Sequence, residues 1–269
     1  VPEPLAMKQF EESGSKAIYL PMGANPELHY PLDIEKTINI SFVGLKAPHR
    51  VEMLGKAVQS GLDLRIYGNG WRMNRKICDE RFNSKSDNKL SYYLKLCRSK
   101  ISAIKHALKF KAKHNFESYL KLSEKYESVL EPALNSGPLF NVCRSHPANL
   151  LDLMEVNKIY SLSSVNIGFN DQFNECEGLF THTNLRNFEA AMSGACYLAE
   201  AAADLGELFL DGEEIMIFHN AEELIDKAKF LLNNEPFRRK LGIACRRRAL
   251  SEHSWEIRFN KIFSVLGIS

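Results

Sequence analysis

The stretch TINISFVGLKAPHRVEMLGKAVQSGLDLRIY, Thr37 to Tyr67, decides how the fold is read. Ile38 to Gly44 is a short run of β-branched and aromatic residues closed by a glycine, the pattern of a buried strand. His49 to Ser60 places Val51, Leu54 and Val58 at three- and four-residue steps, one apolar helix face. Leu62 to Tyr67 then reads as a second strand. Strand, helix and strand in about thirty residues make a βαβ unit, whose two strands must run parallel because the helix carries the chain back.

The same rhythm returns beyond Gly137. Leu150 to Tyr160 is expected as a helix, Ser164 to Phe169 as a strand, Asn184 to Ser193 as a helix and Ala195 to Ala199 as a strand. Ile215 to Phe218 follows as a short buried strand, and three helices over 221–232, 235–250 and 255–266 complete the chain. Gly194 sits where a helix must turn into a strand, the place for a glycine C-cap. The fold class is α/β: a Rossmann-like parallel sheet flanked by helices, interrupted by an inserted basic helical segment. Ahead of it, Lys16 to Pro21 reads as a strand ended by proline, and Met22 to Pro31 as a polar connector. Residues 1–33 thus form a hinge, and 34–269 the domain, with its insertion at 88–136.

That insertion carries Leu94, Cys97, Ile101, Ile104, Leu108 and Ala112 at helical spacing. Residues 89–113 hold eight lysines and arginines and no acidic residue. Three readings stand: a solvated helix face, a surface for an anionic membrane or acidic partner, and a nucleic-acid contact. The whole chain does not favour the last, since 35 basic residues against 33 acidic ones leave a net charge of +2.

Composition narrows the class further. With 269 residues, 45% apolar and 25% charged, the chain can bury a substantial core, which excludes disordered and collagen-like classes. No apolar run reaches the roughly 18 residues of a membrane span, and the sequence opening Val1-Pro2-Glu3-Pro4 has neither the basic nor the apolar region of a signal peptide. A cytoplasmic protein is expected, with peripheral contact at the inner membrane face through 89–113 as the variant. The six cysteines form no CxxC pair, and there is no HxxxH, HxxEH or Asp-x-Asp spacing, so neither a disulfide framework nor a metal site is expected. The missing initial methionine points to a piece of something longer.

In an open parallel sheet, ligands bind outside the carboxyl ends of the strands. Those ends carry Gly44 with Arg50 at the next helix, then Gly68-Asn69-Gly70-Trp71, then Asn170. No G-x-G-x-x-G follows the first strand, which argues against nicotinamide binding. The most informative segment is Thr181 to Gly194, THTNLRNFEAAMSG. Thr183 or Asn184 can cap its helix, whose free amides suit a phosphate. Arg186 in the first turn opposes the helix dipole, which calls for a negative charge nearby. Glu189, one turn on, can accept ribose hydroxyls; the alternative is that Arg186 and Glu189 simply pair with each other at i,i+3.

Arg186-Asn-Phe-Glu-Ala-Ala-Met-Ser-Gly194 resembles the R-x-F-E-A-x-A-x-G segment of the CgeB-like (spore-maturation-protein) glycosyltransferases, relatives of the group 1 enzymes of GT-B architecture. Leu205 to Glu214 is similar to their L-x-E-L-F-x-x-G-x-E. Ala221 to Leu224, Asn234 to Arg238, and His253 with Arg258 in H-x-x-x-x-R continue it in order. Upstream, Tyr19-Leu-Pro21, Phe42-Val-Gly44, Arg50 and Ile66 to Trp71 resemble the linker and first two strands. The likeness covers most of the chain apart from the basic insertion.

The resemblance implies the C-terminal, donor-binding half of a GT-B glycosyltransferase, with residues 1–33 a remnant of the N-terminal half. It implies a nucleoside-diphosphate sugar as donor substrate, an unidentified acceptor, and no metal or other cofactor. Glu189 would hold the ribose, the start of its helix with Arg186 the diphosphate, and Asn184, Asn187 and Phe188 would be further donor-binding residues. Gly44 would let the leaving group approach, Arg50 would add a cation, and Tyr67 and Gly68 would line the base pocket. In the family the other half carries most of the acceptor site and commonly the catalytic base, so no catalytic residue is assigned. The alternative is a non-catalytic α/β module binding an anionic lipid or polymer through the basic insertion.

Overall fold

The computed structural model describes residues 7, 10–68, 71, 143–144, 151–170 and 183–268. The chain divides into two compact units, Val1–Arg72 with Asn141–Ser269, and Met73–Phe140. The described residues belong to the first; the helical insertion expected at 88–136 lies outside them, as do Asn69, Gly70, Thr181 and His182.

The described strands are β1 (Ile38–Val43), β2 (Leu64–Tyr67), β3 (Cys143–Arg144), β4 (Ser163–Gly168), β5 (Tyr197–Glu200) and β6 (Met216–Phe218). They form one parallel sheet in the order β3-β2-β1-β4-β5-β6. Phe42 of β1 lies between Ile66 of β2 and Ile167 of β4. The chain lays strands outward from β1 in one direction, then restarts beside β1 with β4 and proceeds in the other. The β1/β4 junction is therefore the switch point of a doubly wound sheet, where its carboxyl edge opens a crevice.

The helices are α1 (Pro48–Gln59), α2 (Leu153–Leu162), α3 (Leu185–Met192), α4 (Leu205–Leu208), α5 (Ala221–Asn233), α6 (Glu235–Glu252) and α7 (Trp255–Leu266). Local chemistry sets several ends. Asp152 and Glu155 close a capping box at α2, Asn220 and Ser254 cap α5 and α7, and Pro48 opens α1. Gly194 turns α3 into β5 at φ 67°, as its position in the sequence suggests.

β4 and β5 are buried along almost their whole length because both faces of the sheet are covered, whereas β2 alternates, with Arg65 exposed between Leu64 and Ile66. On one face Val43, Tyr197, Ala199 and Ile217 join Tyr160, Phe188, Met192 and Cys245 from the helices. On the other, Trp71, Phe42, Phe169 and Phe218 form a chain of edge-to-face rings with centroids 5.9, 5.3 and 5.7 Å apart. Such contacts add about 0.5–1.5 kcal/mol per pair beyond burial, and they hold the strand ends around the switch point. Cys196 and Cys245 are buried free thiols, and burial pushes the former up to about 12.

The strand expected at Lys16 to Pro21 does not form. A side chain docks the segment: the Tyr19 hydroxyl donates to Asp204 Oδ2 at 2.7 Å. Farther along, Ala24 exchanges backbone bonds with His253 and Trp255, and Tyr30 donates its amide to Asn157 Oδ1. The connector is thus strapped to the domain. Its strap is locked by the paired His253 and Arg258. Arg258 Nη2 donates to His253 Nδ1 at 2.7 Å, Arg258 Nε donates to the Met22 carbonyl, and His253 Nε2 bonds the Leu208 carbonyl. His253 also lies edge-on to Phe188 and Phe209. Two elements escaped the sequence reading: β3, only two residues long, and α4, a single turn.

Candidate functional site

The carboxyl ends of β1, β2, β4 and β5 and the start of α3 meet around Asn170. Its backbone N–H donates to Glu200 Oε2 at 3.1 Å and its Nδ2 to the Glu200 carbonyl at 2.6 Å. Its Oδ1 accepts from the Asn184 amide at 3.0 Å and from Asn187 Nδ2 at 2.7 Å. Asn170 therefore caps α3, a role the sequence gave to Thr183 or Asn184. Those two are otherwise engaged: Thr183 donates both its amide and its hydroxyl to Asp204 Oδ1, and Asn184 Nδ2 donates to the Phe169 carbonyl. The next two amides of α3, on Leu185 and Arg186, meet no acceptor among the described residues and stand at the positive end of the helix. Asn187 is buried, and its Oδ1 has no hydrogen-bond partner among the described residues.

Glu189 is buried one turn down the helix. Its Oε2 accepts from Arg186 Nη1 at 2.6 Å, and its Oε1 lies 3.7 Å from His29 Nε2 of the connector. Arg186 also meets the Tyr160 hydroxyl, so its charge is balanced within the protein. The i,i+3 pair with Glu189 thus supplies the counter-charge that the helix dipole calls for at Arg186. Burial holds His29 below its ordinary value against the pull of Glu189, with Arg186 acting in the same direction as burial.

Phe188 requires a correction. It is wholly buried between Phe209 and His253, with the Arg258 guanidinium over its ring, so it anchors α3 to the core and does not face a ligand. Gly44 and Gly68 lie against each other where β1 and β2 end. Gly68 has φ 132°, and a Cβ there would stand 2.2 Å from the Gly44 carbonyl oxygen. The Gly44 amide donates to the Tyr67 carbonyl, and its own carbonyl accepts from Trp71 Nε1. A Cβ on Gly44 would stand 2.6 Å from the tip of the Phe42 ring, which would have to shift. Arg50 lies over that ring and donates to the Leu45 carbonyl. Tyr67 is half-buried at the end of β2, opposite Arg144.

The sequence reading missed one pair. His49, in the first turn of α1, meets Glu200, the last residue of β5, with Nε2 and Oε1 2.5 Å apart. The two are 151 residues apart in the chain, so no local motif signals them. Among the described residues no group of three or more His, Cys, Asp or Glu is placed to hold a metal ion, and no helix is long and apolar enough to cross a membrane.

Residues 144–264 match the profile of a family described as glycosyl transferase-like. No curated protein matches the sequence. Among solved structures, the chain resembles sucrose-phosphate synthase from Thermosynechococcus elongatus, at 15% identity and TM-score 0.60, over 99% of this chain and 56% of that one. The fold is that of a GT-B C-terminal domain. A glycosyltransferase from Rickettsia africae ESF-5 shares this GT-B likeness at 10% identity and TM-score 0.56, over 98% of this chain and 61% of that one. So does Anabaena HepE, solved in complex with UDP-glucose, at 10% identity and TM-score 0.58, over 99% and 62%. The chain thus spans between 56% and 62% of the length of these three solved chains.

Proposed function

We propose that this chain is the donor-binding part of a glycosyltransferase that moves a sugar from a nucleoside diphosphate to an acceptor. The observation that carries the reading is the position of the family match. Residues 144–264 include β4, α3 and β5, the elements whose ends meet around Asn170 at the switch point. The Arg186 to Gly194 segment adds the CgeB-like group as the nearer kin.

In this reading Glu189 receives the ribose. A carboxylate has about four acceptor positions, and Arg186 takes one, so two hydroxyls can still be accepted once the guanidinium swings aside. Arg186 is able to move because its side chain is 40% exposed while that of Glu189 is 6% exposed. The diphosphate lies over the Leu185 and Arg186 amides, beside Asn184 and Asn187, where the buried Asn187 Oδ1 can receive a ligand hydroxyl. Arg50 supplies a cation from the β1 side, and Tyr67 and Gly68 border the base. Backbone amides and cations, rather than a metal, meet the charge that develops on the leaving diphosphate. The acceptor and the catalytic base belong to a second half of the enzyme.

Calorimetric titration with UDP, GDP, ADP and TDP, free of metal, tests this. One of them is expected to bind, and Glu189→Ala to weaken it by about 2–3 kcal/mol, roughly 30- to 150-fold, through two lost charged hydrogen bonds. Binding unaltered in the variant would remove Glu189 from the site.

A further inference from the structure

Arg186 carries its positive charge at the positive end of a helix. It lies in the first turn of α3, beside the Leu185 and Arg186 amides that meet no acceptor among the described residues. Two groups hold the guanidinium there. Its Nη1 donates to Glu189 Oε2 at 2.6 Å, and the hydroxyl of the buried Tyr160 bonds it from α2. The two members of the pair differ in freedom. The Glu189 side chain is 6% exposed, with His29 Nε2 3.7 Å from its other oxygen, whereas the Arg186 side chain is 40% exposed. In this closed arrangement the guanidinium occupies one of the two carboxylate oxygens that a ribose would use.

We infer that Arg186 is a latch on the ribose seat, closed on Glu189 in the free chain and opened by the diphosphate of an incoming nucleotide. This rests on the donor-binding reading above and deepens it. Opening alone is unfavourable, because it leaves a buried carboxylate without its arginine and an unpaired cation at the positive end of α3. An anion over the first amides of that helix reverses the balance. The released guanidinium and the two amides then face one negative group, and charge-assisted bonds replace the broken pair. A nucleoside brings no such anion. It reaches Glu189 only in chains whose latch is already open, and its apparent affinity falls by that fraction. The latch thus separates nucleoside diphosphates from nucleosides by more than the attraction of phosphate for a helix start. Removing Arg186 should tighten nucleoside binding without tightening nucleotide binding, a signature that an arginine serving only as a phosphate ligand would not give.

Calorimetry of the full chain tests this, with UDP titrated directly and uridine read by its displacement of UDP; GDP with guanosine, ADP with adenosine and TDP with thymidine serve in the same way for another base. In Arg186→Gln, uridine is expected to bind about five- to twentyfold more tightly than in the wild type, and UDP no more tightly. Tyr160→Phe keeps the ring in the core and the guanidinium in the chain but removes one of the latch's two anchors, so uridine should gain about two- to fivefold there. In Glu189→Ala the latch has nothing to close on, and adding Arg186→Gln to that variant should leave uridine affinity unchanged. A gain for uridine in neither Arg186→Gln nor Tyr160→Phe, or a gain from Arg186→Gln that persists in the Glu189→Ala background, overturns this inference and leaves the donor-binding reading standing. No binding of UDP, GDP, ADP or TDP by the wild type overturns that reading, and this inference falls with it.

Discussion

Acid should release the strap between the connector and the domain, and His253 is the trigger. The ring is buried, donates from Nε2 to the Leu208 carbonyl and accepts at Nδ1 from Arg258, so both nitrogens are committed to the neutral tautomer. Burial is the main cause that lowers its pKa to about 4, with Arg258 and Arg248 adding to it and the Leu208 bond opposing. In the unfolded chain the same group titrates near 6.5. The folded state therefore binds fewer protons than the unfolded state in this window, and stability rises with pH across it. The contribution is fully present above pH 6.5 and is lost as the pH falls towards 4. A gap of about 2.5 units at 1.36 kcal/mol each corresponds to about 3 kcal/mol, a sizeable part of the 5–15 kcal/mol that holds a typical domain together. Urea unfolding followed by circular dichroism at pH 7.5, 6.5, 5.5 and 4.5 would measure it. Carboxylates and the buried His29 add to acid loss in the same range, so the informative quantity is the difference from His253→Gln, which keeps an amide donor and an acceptor but cannot charge. The wild type should lose about 2–3 kcal/mol more than the variant between pH 7.5 and 4.5. Equal losses in both proteins would refute the assignment of this ring as the acid-sensitive link.

Other perturbations reach different parts of the account. Gly68→Ala forces a side chain into φ 132° and within 2.2 Å of the Gly44 carbonyl, so urea unfolding should show a loss of about 2–4 kcal/mol. Asp204→Ala strips the acceptor from the Tyr19 hydroxyl and from the Thr183 amide and hydroxyl, and should cost about 2–3 kcal/mol, with faster proteolysis of the connector ahead of residue 30.

The sequence revealed whatever depended on short-range periodicity. β1, α1, β2, β4, α3, β5 and β6 lie within a few residues of their expected places because each is a run whose apolar spacing matches one kind of element. Lys16 to Pro21 has the composition of a strand but forms none among the described residues, its Tyr19 hydroxyl docking on Asp204, and β3 has pairing without enough residues to carry a pattern. At the site, the sequence located Glu189 and the start of α3 but not their surroundings. Asn170 caps that helix from 14 residues upstream, and His29 approaches Glu189 from the connector. Phe188 sits beside Glu189 in the chain and on the other side of the helix in space, facing the core. The His49–Glu200 pair is created by the sheet order alone, which brings the end of β5 near the start of α1.

The most direct test of the central claim is a crystal structure of this chain with UDP-glucose bound. Ribose hydroxyls are expected on the Glu189 carboxylate with Arg186 swung away from Oε2, and the diphosphate over the first amides of α3. A nucleotide bound elsewhere, with the Arg186–Glu189 pair still closed against His29, would contradict it.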